Sequence, residues 1–229
     1  MTLMHKKNAT LIIAAIVCFS SVSSCLTPEK LDKFVAEEYN NQLPKSTNKT
    51  KDYINVIPTA SDDDKKISRS VHKTDKFLPL IIYWKYDHRH FCSLNPAIPI
   101  ANFSNAINAL ATKKLTDKLD DRRLELTVEQ APASFSIVVK ENLIWLVYAF
   151  SWAKVYIEPD RKDLVVSYKL IESGKTLKTG KISVKNADQN QGLRWFQSWK
   201  SATSEYLSAY KANFTNMTKL FVNQLSEEM

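Results

Sequence analysis

The chain has 229 residues, with 32 Lys and Arg against 24 Asp and Glu, a formal net charge of +8 and 44% hydrophobic residues. Three glycines in the whole sequence argue against a Gly-rich phosphate loop and against a barrel built from many tight hairpins. Three cysteines, Cys18, Cys25 and Cys92, are too few for a disulfide framework, so stability must come from a hydrophobic core.

The first 25 residues have three parts. His5, Lys6 and Lys7 are followed by the apolar run Leu11 to Phe19, then by small residues from Ser20 to Ser24 and by Cys25. The order is that of a secretory signal, with an apolar core too short to remain as a membrane-spanning helix. Val22-Ser23-Ser24-Cys25 resembles the lipobox of bacterial lipoprotein precursors. That resemblance implies cleavage before Cys25, diacylglycerol on its sulfur and acylation of the new amine. Small residues suit an extended backbone in the peptidase pocket, and a thiolate is the nucleophile that takes the lipid. Two or more acyl chains, at roughly 0.8 kcal/mol per buried CH₂, hold a protein on a membrane where one chain is marginal. Leu26, rather than aspartate, follows the cysteine, which by the same resemblance implies the outer membrane, facing the periplasm.

Without residues 1–24 the chain is 205 residues long, with 30 basic and 24 acidic residues, near +6. This mild positive charge suits anionic lipid headgroups or an acidic envelope partner. A nucleic-acid partner does not fit that address. Cys18 would leave with the leader and Cys25 would be acylated, so Cys92 would be a single free thiol.

Thr27-Pro28-Glu29 predicts a helix start, and Leu31, Phe34, Val35 and Tyr39 continue it at helical spacing to about Asn41. From Gln42 to Lys76 the composition turns to Lys, Ser, Thr, Asn and Asp, which predicts a solvated tether. The expected division is therefore a signal peptide over 1–24, a lipid-anchored tether with a short helix over 25–76, and one folded domain over 77–229.

Within that domain Leu78 to Tyr86 predicts a first strand. Ser104 is the expected cap of a helix with core positions Ile107, Leu110, Ala111, Leu115 and Leu119. Leu124, Leu126 and Val128 alternate as a strand with charges facing out. A second strand group runs from Phe135 to Ile157. Its centre, Leu143 to Phe150, is apolar at every position, which predicts a central strand covered on both faces. Leu164, Val166, Tyr168 and Leu170 alternate, and Ser173-Gly174-Lys175 turns the chain into a partner strand over Leu177 to Lys185. Trp199, Tyr206, Tyr210, Phe214, Met217, Phe221 and Leu225 then recur at three- and four-residue steps, predicting a C-terminal helix of about seven turns. This order of elements implies an α+β fold: a mainly antiparallel sheet of about five strands with two helices on one face, the C-terminal one long.

Candidate chemistry is sparse. His88, His90 and Cys92 alternate on one strand, so they share a face and are candidate ligands for zinc or copper. No second cluster supplies a fourth ligand, and His72 falls in the expected tether. The same residues do not make a nucleophile and base, because neighbours on one strand point alongside each other. Glu125 and Glu129 form a solvent-facing row. Two basic sets, Lys113, Lys114, Lys118, Arg122, Arg123 and Lys175, Lys178, Lys181, Lys185, are either an anionic-lipid patch or ordinary wet surface. Trp195, Phe196 and Trp199 are either an aromatic platform or packing where the long helix enters the core.

The order of elements and the lipobox together resemble the small periplasmic lipoproteins that assist transport systems. The resemblance implies a membrane-anchored, non-catalytic binding or scaffolding module accessory to transport or envelope maintenance, without a cofactor. A metal-binding lipoprotein using His88, His90 and Cys92 is the alternative. Cys25, as the lipidation residue, is the one site the sequence assigns.

Overall fold

The computed structural model describes residues 26–46, 53–57, 65–110, 113–120, 122–146 and 148–229. The expected leader and Cys25 lie outside the described residues. Four helices occur among those described: α1 (Pro28–Glu38), α2 (Ala97–Leu110), α3 (Lys113–Leu119) and α4 (Trp199–Glu228). The strands are β1 (Ile54–Ile57), β2 (Ser68–Pro79), β3 (Tyr83–Leu94), β4 (Arg123–Gln130), β5 (Ser134–Trp145), β6 (Ala149–Pro159), β7 (Leu164–Glu172), β8 (Lys175–Val184) and β9 (Gln191–Gly192). The fold is α+β, but its strands form two sheets rather than one. One sheet has the order β1-β4-β7-β8, the other β2-β3-β5-β6-β9. All described pairings are antiparallel except β1 with β4.

The four-stranded sheet follows its alternation pattern. Leu124, Leu126 and Val128 of β4 and Leu164, Val166, Tyr168 and Leu170 of β7 are all buried, because a period of two puts every second side chain on one face. At the β7–β8 turn, Ser173 and Gly174 have φ of 49° and 79°, the left-handed pair a two-residue hairpin requires.

Helix α4 is 30 residues long, about 45 Å at 1.5 Å per residue. Ser198 caps it by accepting from the Ser201 N–H at 3.1 Å. Its predicted stripe from Trp199 to Leu225 is buried at every position, and Tyr210 donates to the Pro132 carbonyl at 2.7 Å. Thr203, Thr218 and Ser226 are buried on the same helix, and each donates to the carbonyl four residues back, so no hydroxyl is left unsatisfied.

The segment expected as a solvated tether departs most from expectation. Helix α1 has the predicted Thr27 cap and Pro28 start, and its apolar stripe docks on the domain, with Leu31 and Val35 fully buried in the common core. Asp32 on the same helix accepts from the hydroxyls of Ser68 and Ser70 and from the Ser70 N–H, at 2.7 to 3.0 Å. Beyond it, 54–57 and 68–79 are strands β1 and β2. Both lie at the edge of a sheet; β1 is only four residues long within a polar region, and β2 is polar and exposes most of its side chains.

Three further boundaries differ. Helix α2 begins at Ala97, with Asn95 Oδ1 accepting from the Ala97 N–H at 2.9 Å. Pro99 sits in its first turn, where no backbone donor is needed. Ser104 is therefore inside the helix, and its hydroxyl accepts from Ser46 at 2.6 Å. The run Leu78–Tyr86 breaks after Pro79 and reverses through Leu80, Ile81 and Ile82. The run Leu143–Phe150 breaks after Trp145, and the Leu146 N–H donates to the Tyr148 carbonyl at 3.0 Å. Both are hairpin ends rather than strand centres.

Candidate interaction surface

The two reversals lie side by side. Strand β3 pairs with β2 on one side and β5 on the other, and β5 pairs with β6. Tyr83 stands opposite Ile144 and Trp84 opposite Leu143, and the Trp145 N–H donates to the Ile82 carbonyl at 2.8 Å. The ends of both hairpins thus form one end of the five-stranded sheet. There Phe77, Leu80, Ile81, Ile82 and Trp84 are exposed on the first hairpin, and Trp145, Leu146, Tyr148, Phe150 and Trp152 on the second. Ile81 is 98% exposed. Fully burying one such side chain is worth about 1.5–3 kcal/mol, so ten together at one end make a candidate contact surface rather than scattered exposure.

The register divides this end into two faces. Phe77, Trp84 and Trp145 share the face that carries the core further down the sheet, while Phe150 and Trp152 lie on the opposite face. Both faces are therefore apolar. One row nearer the core, Lys76, Asp87, Lys140 and Lys154 stand in register across four strands. Lys85 lies two rows further out and pairs with Asp87 at 3.5 Å, with Glu141 in the row between. The apolar end is thus bounded by a mainly basic band.

On the core-bearing face a series of rings leads inward. Phe77 meets Trp84 and Tyr86 edge-on, and Tyr86 stacks on His88 with centroids 4.6 Å apart. His72 follows, 5.2 Å from His88 and 4.8 Å from His90. His88 and His90 are 8% and 5% exposed, and their Nδ1 atoms have no hydrogen-bond partner. Burial, followed by the neighbouring His72 and His88, lowers the His90 pKa to about 4. Burial also lowers that of His88, opposed by Glu141. Both imidazoles are held neutral.

Cys92 shares their face, as alternation requires, yet the three proposed ligands do not converge. Cys92 is opposite Ser70 in the register, and its buried thiol is hydrogen-bonded to Ser70 and Ser68. Burial pushes its pKa up to about 12, so it is neither a ready ligand nor a nucleophile. The imidazole that joins His88 and His90 is His72, which sequence reasoning left in the tether. Its signal was the pairing of β2 with β3, which no local pattern reveals. Among the described residues no group of three or more His, Cys, Asp or Glu has a geometry that holds a metal ion.

Four residues of the two basic sets make internal contacts. Lys118 donates to the Ser226 carbonyl and Lys178 to the Glu228 carbonyl. Arg122 caps the end of α3 through the Leu119 and Lys118 carbonyls. Lys181 pairs with Glu129, and Lys169 lies 3.9 Å from Glu125. These ion pairs border a shallow concavity of about 610 Å³ on the four-stranded sheet, where the Ser167 hydroxyl donates to the Glu129 carboxylate that Lys181 also holds. Trp199 packs edge-on against Phe34 at 5.4 Å, whereas Trp195 and Phe196 are 91% and 100% exposed.

No family model matches the chain, and neither a curated protein nor a solved structure matches it. No described helix is long and apolar enough to cross a membrane.

Proposed function

We propose that this chain is a non-catalytic binding or scaffolding module of the bacterial envelope, anchored by lipid on Cys25 and accessory to transport or envelope maintenance. Its working surface is the apolar end of the five-stranded sheet. The observation that carries this reading is the gathering of ten exposed, large apolar side chains from two hairpins at that end. A monomer with no contact to make there would bear an aggregation liability.

The test combines address and surface. Labelled palmitate should enter the wild-type chain and not Cys25→Ser. A photo-cross-linking residue at position 81 or 146 should yield adducts in cells, while one at Leu177, exposed on β8, should not. Equal yields at all three positions would remove the assigned surface, and label retained in Cys25→Ser would remove the anchor.

A further inference from the structure

We infer that the apolar end of the five-stranded sheet seats in the interfacial layer of a lipid bilayer with anionic headgroups. This rests on the preceding assignment of that end as the working surface and names what the surface meets.

The first argument is shape. Phe77 and Trp84 are exposed on one face, Phe150 and Trp152 on the other, with Ile81 and Leu146 at the reversals. A protein docking on a sheet covers one face and leaves the other wet. An apolar end open on both faces and at its tip fits a medium that surrounds it, which acyl chains and headgroup stems provide.

Charge is the second argument. Lys76, Lys140 and Lys154 stand in one row with Asp87, Lys85 is two rows further out, and Glu141 in the row between leaves the band net positive, four lysines to two acids. Beyond Lys85 and Asn142 no charged residue occurs until Lys154: Pro79–Trp84 and Leu143–Ala153 carry none. Lysines set behind an apolar tip meet anionic headgroups as the tip enters the boundary.

Depth is the third. From the Lys85–Asn142 row to the reversals is three to four residues, about 10–13 Å at ~3.3 Å per residue. That is too short to span, since crossing takes strands of about 9–11 residues, and it suits a tip lying at the headgroup–acyl boundary. Trp84, Trp145 and Trp152, three of the chain's five tryptophans, sit in this zone, where an amphipathic ring has one end in apolar and one in wet surroundings.

The experiment uses the full chain purified from membranes and reconstituted into vesicles of phosphatidylcholine and phosphatidylglycerol. A fluorescent amino acid is placed at position 81, 146 or 177. Bromine-labelled lipid should quench the probe at 81 and 146 at least three-fold more than at 177, and aqueous iodide should do the reverse. Quenching by bromolipid at 81 should fall at least two-fold in vesicles of phosphatidylcholine alone, and in the Lys76→Glu/Lys154→Glu variant. Probes at 81 and 146 that stay open to iodide overturn the proposal. Probes shielded from iodide but untouched by bromolipid also overturn it, yet leave the working surface standing with a protein or a second copy as its occupant. Equal quenching with and without phosphatidylglycerol overturns the requirement for anionic headgroups.

Discussion

Replacing Leu31 by alanine tests whether the N-terminal helix belongs to the folded domain or to a tether. Leu31 is fully buried in the core cluster that spans both sheets, on a helix whose Asp32 is bonded to Ser68 and Ser70 of β2. Truncation removes the transfer free energy of the lost methyl groups and leaves a cavity that the two layers only partly close. Leu→Ala changes at such sites cost about 2–5 kcal/mol, and about 3 kcal/mol is expected here. For a folded unit of this size each 1 kcal/mol moves Tm by roughly 2–4 °C, so the expected drop is about 6–12 °C. The assay is thermal and urea unfolding followed by circular dichroism, with Leu177→Ala, at an exposed position, as the control within about 0.5 kcal/mol of wild type. A Leu31→Ala change as small as the control would mean that α1 is not docked, and the packing argument for 26–46 would fall.

Gly180→Ala should destabilise by about 1–3 kcal/mol, because a Cβ there would lie within 2.5 Å of Tyr168 Cε1 and Cζ. Adding Tyr168→Ala should abolish that increment, so additive costs in the double-mutant cycle would refute the clash. Cys92 should resist a thiol reagent at pH 8 in the native protein and react fully in denaturant. With its pKa near 12, about one molecule in ten thousand is thiolate at that pH. Since the folded value lies above the unfolded one, stability should fall as pH climbs from about 9 towards 12, and less steeply in Cys92→Ala. His90 shifts the other way, to about 4 from 6.5. Its neutral form is the one the fold accepts, so stability is intact above pH 6.5 and drains away as pH falls through 4; urea midpoints across that window should flatten in His90→Leu.

Local signals sufficed where one short pattern decided the outcome. The cap at Thr27, the alternation of β4 and β7, the Ser173-Gly174 turn and the buried stripe of α4 each depend on neighbours within a few residues. Long-range pairing decided the rest. The short run at 54–57 and the polar stretch at 68–79 became edge strands because partners across the sheet supplied their hydrogen bonds. Apolar runs at 78–86 and 143–150 turned back on themselves with no glycine or asparagine to announce it.

The candidate surface was illegible for the same reason. An unbroken apolar run reads as a buried strand, and only the position of the reversal puts Ile81 and Leu146 outside. His72 and His90 come together through one strand pairing across an 18-residue separation in the chain. Period and capping are properties of adjacent residues and are written in the sequence. Which face meets a core, and which end is left without one, is a property of the assembled sheets, and only the tertiary structure decided it.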